Sequence, residues 1–221
     1  RIQDNALFAW VPTLTSIARQ AIFAGQPPQL YPESWKTTDK ERQRWLKFWQ
    51  EQELPGGSVG YTRNLGTNVI QLNQSDPVTN GIDTALEPEA LALIENPKMQ
   101  VVGLVVNTID NISHGMQLGT AGMHQQVRLW IAQHRYLTHL IQKLLDEDFS
   151  VFLTADHGNV GAQGMGRPNE GTLVETRGQR ARIYSDPAFF ELAQQQMPEA
   201  IEWINIGLHT GLQVLLAPKL N

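Results

Sequence analysis

Residues 151–158 read VFLTADHG, and this stretch decides the fold. Val151, Phe152, Leu153 and Thr154 form a short apolar, β-rich run of the kind shown by a strand buried on both faces. Such a strand delivers Asp156 and His157 to the carboxyl edge of a sheet, where open α/β sheets bind ligands. Neighbouring residues on a regular strand point oppositely, so both face one site only where the strand ends and the chain turns, which Gly158 permits. Residues 101–106 (VVGLVV) repeat the logic, followed by Asp110 and His114. Two apolar strands that each end in an Asp/His pair point to a metal site, because a parallel sheet brings such ends together.

The chain of 221 residues is long enough to bury a real core and fits one α/β domain over residues 1–221. Its formal charge of −5 argues against a broadly basic nucleic-acid-binding surface. With no cysteine, disulfides, thiolate metal sites and cysteine nucleophiles are excluded, so a metal must sit on His, Asp, Glu or hydroxyl oxygen. No apolar run reaches the roughly 18 residues of a membrane helix and no signal peptide opens the chain, so a cytoplasmic protein without membrane contact is expected. The start at Arg1 rather than Met fits a piece of a longer protein.

Pro12 and Thr13 precede a helical pattern in which Ile17, Ala18, Ala21 and Ile22 share a face, and Gly25, Pro27 and Pro28 stop it. Thr13, Thr15 and Ser16 crowd its start, where free N–H groups and the positive dipole end suit a phosphate. A second helix is expected over residues 39–53, with Trp45, Phe48 and Trp49 on its apolar side, then strands at 58–61 and 68–72 and a loop at 73–83. A short helix at 88–95 follows. The longest helical stretch, 120–146, crosses back from the 101–106 strand to the 151–154 strand as a parallel unit. Residues 158–171 form a glycine-rich rim loop. Residues 182–184 read as a strand, and Asp186 and Pro187 open a helix through Gln196.

Asp oxygen and His nitrogen are ordinary ligands of a zinc ion, which takes about four. Asp110 and His114 also read as a capped turn with a surface histidine, and Asp156 and His157 as a junction whose polar groups satisfy the backbone. His209, between Gly207 and Gly211, suits close backbone approach to a site or is an ordinary loop histidine. His124, His134 and His139 read as packing or solvated residues of the long helix. Thr15 is a helix cap or a nucleophile activated by a metal. Arg177, Arg180 and Arg182 make a solvated edge or a clamp on substrate phosphate, and Arg19, one turn beyond Thr15, has the same two readings.

PTLTSIARQAIFAG (12–25), DNISHG (110–115), TADHG (154–158) and GLHTG (207–211) follow one another in an order that resembles the alkaline phosphatase superfamily, closest to its PglZ branch of bacteriophage exclusion (BREX) defence systems. The resemblance spans nearly the whole chain. It implies an alkaline-phosphatase-like α/β fold, a mostly parallel sheet with helices on both faces. It also implies a metal-dependent phosphoesterase, phosphatase or phosphodiesterase, with two divalent ions, Zn2+ or alternatively Mn2+. Carried over by position, Asp110, His114 and His209 hold one metal, and Asp156, His157 and the nucleophile Thr15 belong to the other, with Thr13 and Ser16 as fallback nucleophiles. Arg19, Arg177, Arg180 and Arg182 are the candidates for substrate phosphate. The implied partners are a phosphate-ester substrate, with nucleotides or nucleic acid in range, and other defence-complex proteins.

Two positions depart from the pattern. Family members carry another metal-binding Asp on a first strand some tens of residues before the nucleophile, whereas only Asp4 precedes Thr15 here, so the fold is expected to lack that strand. Ala18 stands where some relatives place a phosphate-holding Asn. These departures keep open a reading of another class, a catalytically weak or inactive scaffold or binding module of a multiprotein defence complex. A sulfatase or phosphomutase is disfavoured by the threonine, since the first needs a residue oxidised to formylglycine and the second a serine.

Overall fold

The computed structural model describes residues 3–32, 36–66, 85–114, 119–159, 176–177, 180–204 and 206–218. The strand expected at 68–72, the loop at 73–83 and nearly all of the rim loop lie outside the described residues. The chain forms two compact units. The first comprises Arg1–Arg44, Ala155–Gly158 and Ala162–Asn221, the second Trp45–Thr154 and Asn159–Gly161.

The first unit is an antiparallel sheet with a helix on each face. Its strands are β3 (Thr176–Arg177), β4 (Ala181–Tyr184), β5 (Ile201–Trp203) and β6 (Gln213–Leu216), in the order β3-β4-β6-β5. Ile183 pairs with Val214 in register, so both side chains leave by the same face. There they meet Ile17 of helix α1 (Thr15–Ala24) together with Leu208, all four at most 4% exposed. Tyr184 and Leu215 leave by the opposite face and pack on Phe190 and Ala193 of helix α7 (Pro187–Gln196). Each buried Ile, Val, Leu or Phe side chain among these stabilises by roughly 1.5–3 kcal/mol. Helix α1 stops at Gly25, whose φ of 59° is left-handed, and α7 starts where the Asp186 carboxylate accepts the Ala188 N–H at 2.9 Å, with Pro187 at the first helical position.

In the second unit β1 (Val59–Leu65) and β2 (Val101–Val106) run parallel, from Val59 opposite Val101 to Leu65 opposite Val106. The crossover that parallel pairing requires contains α3 (Pro88–Ile94). Leu65, Ala90, Ile94, Trp130, Tyr136, Leu140 and Leu144 form the core. Helix α2 (Glu41–Glu51) contributes Trp45, whose Nε1–H donates to the Gly60 carbonyl at 2.8 Å, and edge-to-face contacts of Trp49 with Trp45 and Phe48. Glu87 ties the end of β1 to the helices: it accepts the Gly66 N–H at 2.7 Å and the Tyr136 hydroxyl.

The α/β class stands, with parallel pairing between β1 and β2 and antiparallel pairing in the other described sheet. Three local expectations are corrected. Residues 151–154 form no strand. Only Val151 packs on the core, while Phe152 is 93% and Leu153 75% exposed, and the parallel partner of the 101–106 strand is β1. Apolar composition marks a segment as sticky, but a strand needs a neighbour to receive its hydrogen bonds. The 120–146 helix is two, α5 (Gly119–His134) and α6 (Tyr136–Asp146), separated by Arg135 at φ 47°. Asp110 and His114, read as a turn beyond the 101–106 strand, stand on helix α4 (Thr108–His114).

Candidate active site

Leu14 is the extended residue before α1, and its side chain has no acceptor with which to cap the helix. Its carbonyl closes the first turn by accepting the Ile17 and Ala18 N–H groups at 2.9 and 2.8 Å. Thr15 is therefore the first helical residue with its hydroxyl not engaged as a cap, and Oγ1 lies 3.2 Å from Nε2 of His157, 142 residues away in sequence. Thr13 is exposed ahead of the helix, and Ser16 spends its carbonyl on the Gln20 side chain.

The Asp-His pair is held by its own backbone. One Asp156 oxygen, Oδ1, accepts the His157 N–H at 3.0 Å, which turns the carboxylate back along the chain and leaves Oδ2 at 3.6 Å from His157 Nε2. His157 Nδ1 lies 3.1 Å from the Gly158 carbonyl. A carbonyl only accepts, so Nδ1 carries the proton and Nε2 presents its lone pair toward Thr15. Both side chains are mostly buried, Asp156 at 22% and His157 at 17% exposure. A carboxylate oxygen, an imidazole lone pair and a hydroxyl oxygen thus face one another, and such a set of acceptors suits a cation. Gly158 is not needed for the turn: its φ is not left-handed, and a Cβ there would meet nothing within 4 Å.

His209 is exposed and belongs to the same unit. Its neighbours hold the loop: Leu208 is buried against Ile17 of α1, and Gly207 (φ 86°) and Gly211 (φ 92°) take conformations that side chains resist. The Trp10 ring lies against Gly207 so closely that an added Cβ would stand 2.4 Å from it. Asp110 is an exposed residue in the first turn of α4, in the second unit, and His114 is the last residue of that helix, at the i, i+4 spacing that stacks two positions on one face. At the head of α4, Thr108 is fully buried, and Gly66 (φ 75°) has its Cβ position only 2.7 Å from the Thr108 hydroxyl. Among the described residues no three His, Cys, Asp or Glu side chains converge as a metal site. Asp4 is exposed in a segment without regular structure.

Arg177 and Arg182 are register partners across β3 and β4, and Arg180 is exposed just before β4. Arg19 is the better-anchored arginine. Its Nε donates to Glu41 at 2.6 Å, and that carboxylate is 1% exposed. Beside it, fully buried Gln20 donates to the Ser16 carbonyl at 2.8 Å and to that of Thr37, and accepts from Arg44 Nε at 3.0 Å. Arg44 in turn lies 3.8 Å over the Tyr31 ring, and burial pushes the Tyr31 phenol up to about 12 against the opposing pull of that guanidinium. Sequence reasoning passed over Glu41, Gln20 and Trp10. Nothing in their residue types sets them apart from ordinary surface polar and aromatic residues.

No helix among the described residues is long and apolar enough to cross a membrane. No curated protein matches the chain. The family model described as the BREX system PglZ alkaline phosphatase-like domain matches residues 2–221. The match spans both compact units and every motif described above, and the chain belongs to this PglZ family of alkaline phosphatase-like domains from BREX anti-phage defence.

Proposed function

We propose that the chain is a metal-dependent phosphoesterase, a phosphatase or phosphodiesterase acting in the cytoplasm in anti-phage defence, with Thr15 as nucleophile. The observation that carries this reading is the convergence of Thr15, His157 and Asp156 at 3.2 and 3.6 Å around the start of a helix. Asp156, His157 and Thr15 have the donor types to hold one divalent ion, and Asp110, His114 and His209 are assigned to a second, zinc in the first instance and manganese as the alternative. When bound, such ions lower the pKa of the threonine hydroxyl and offset charge on the phosphoryl oxygens.

The chain's own residues supply the rest. Thr15 Oγ1 attacks phosphorus as its proton leaves. The ester oxygen departs and takes up a proton, and water then attacks the phosphothreonine from the opposite side, releasing the phosphate or monoester. The Gly158 carbonyl keeps His157 in one tautomer, and the His157 N–H holds the Asp156 carboxylate in place. Arg19, Arg177, Arg180 and Arg182 are the candidates to bind substrate phosphate, on a nucleotide or a nucleic acid among other esters. Other proteins of the defence complex are the proposed partners.

A second reading has its own support. With no three His, Asp or Glu side chains converging among the described residues, a binding or scaffold module with a weak or vestigial metal site is the competing assignment. One experiment separates the two: zinc per chain after dialysis against trace metal, for the parent protein, Asp156→Ala and His157→Ala, followed by hydrolysis of bis-p-nitrophenyl phosphate by the parent and Thr15→Ala. Retained metal that both ligand substitutions lower, with hydrolysis lost in Thr15→Ala, supports the enzyme. A Thr15→Ala protein with full metal-dependent hydrolysis removes the nucleophile assignment. A parent protein that hydrolyses no phosphate ester leaves the scaffold reading.

A further inference from the structure

We infer that buried Glu41 is a positioning residue, which holds Arg19 by its inner nitrogen so that the two outer amines of the guanidinium grip a phosphoryl group beside Thr15. This rests on the phosphoesterase reading above and adds to it the means by which phosphate is oriented.

Arg19 follows Thr15 by four residues on α1, so the two share a face, with Cβ atoms about 5–6 Å apart. Long side chains on a helix lean toward its N-terminus, which carries the arginine stem over the turn that Thr15 begins. The Nε–H of Arg19 is engaged by Glu41 at 2.6 Å, whereas among the described residues the four N–H groups on its terminal amines have no partner. Those amines form the planar fork that matches two phosphate oxygens. A carboxylate that is 1% exposed is costly to bury for its own sake, and Glu41 is tolerated because the guanidinium pairs with it.

The support behind the pair is rigid. Gln20, next to Arg19 and fully buried, joins α1 to the Thr37 carbonyl and to Arg44, on either side of Glu41 in the chain. The arginine is thus ordered before phosphate arrives, and the helix that carries Thr15 is fastened to the segment that carries Glu41. Hydrogen bonds to charged groups of this kind are worth a factor of about ten or more in affinity.

The test uses the whole chain with zinc and follows two readouts: KM and kcat for bis-p-nitrophenyl phosphate, and the dissociation constant for inorganic phosphate by equilibrium dialysis. Arg19→Ala should weaken phosphate binding and raise KM about tenfold or more. Added guanidinium ion should restore part of both, which a merely structural role for Arg19 would not allow. Glu41→Gln keeps an acceptor for the Arg19 Nε–H but loses the charge, and should raise KM by a smaller factor, about two- to fivefold, with kcat less affected. If Arg19→Ala fails to fold, Arg19→Lys and Glu41→Gln carry the decision, with the lysine variant expected to bind phosphate more weakly than the parent. A parent that hydrolyses the diester, with variants unchanged in KM and phosphate affinity, overturns this inference and leaves the phosphoesterase reading standing. A parent that neither hydrolyses the diester nor binds phosphate overturns both.

Discussion

Replacing Gly207 by alanine tests the loop that carries His209. Two costs are expected. The backbone at this position has φ 86°, in the left-handed region, where a Cβ costs about 1–2 kcal/mol. The new methyl would also stand 2.4 Å from Cζ3 and 3.0 Å from Cε3 of Trp10, so the indole must move. Trp10 is 36% exposed and can swing partly into solvent, which places the overpacking cost within the usual 1–3 kcal/mol. Gly207→Ala should therefore lose roughly 2–5 kcal/mol in all. In a Trp10→Ala background the clash is gone and only the backbone cost stays, about 1–2 kcal/mol. The coupling energy of the double-mutant cycle is thus about 1–3 kcal/mol, measured by urea unfolding followed by far-UV circular dichroism. If Gly207→Ala costs the same in both backgrounds, the indole does not pack on Gly207 and the account of how this loop is held is wrong.

Asp186→Ala removes the side-chain acceptor from the first turn of α7 and should cost about 1 kcal/mol in urea unfolding; a change near zero would show that the cap contributes nothing. Tyr31 governs part of the alkaline limb. Burial raises its phenol to about 12, so the folded chain keeps a proton that the unfolded chain loses near pH 10. That stability is complete below pH 10 and is lost as pH rises toward 12. The loss attributable to Tyr31 between pH 9 and 11 is about 1 kcal/mol. Tyr31→Phe should unfold with a correspondingly flatter pH dependence, and an unchanged dependence would refute the assignment. Tyr136 and Tyr184 are raised in the same direction, so the parent's alkaline loss should exceed the part that Tyr31→Phe removes.

Helix boundaries were legible where local chemistry sets them. The helix read from Asp186 and Pro187 through Gln196 coincides with α7, because a cap, a first-turn proline and an apolar face all act within a few residues. The break at Arg135 carried no such signal. His134 and Tyr136 are both buried, at 5% and 1% exposure, although two positions on a continuous helix differ by roughly 200°. A left-handed residue between them resets the phase so that both reach the interior. The core imposes this, and an arginine between two aromatic residues does not announce it. Residues 151–154 failed for a related reason. Their apolarity was legible, but the pairing that makes a strand depends on segments distant in sequence, and β2 took β1 as its neighbour.

The site divides along the same line. The arrangement of Asp156 and His157 is local, made within three residues by the His157 backbone N–H and the Gly158 carbonyl, so sequence alone places the two side by side. The approach of Thr15 to His157 spans 142 residues and was reached through the order of four motifs, since no periodicity encodes a contact of that range. Glu41, Gln20 and Trp10 were not legible at all. Chemistry restricts which residue types can attack phosphorus or hold a cation, whereas the residues that hold those groups in place are restricted only by position. Ile17 makes the point physically: it lies two residues from Thr15 and shares a buried cluster with Leu208, the residue before His209. The helix that Thr15 opens and the loop of His209 therefore rest on one piece of core, so a loss of packing at Ile17 should disturb both.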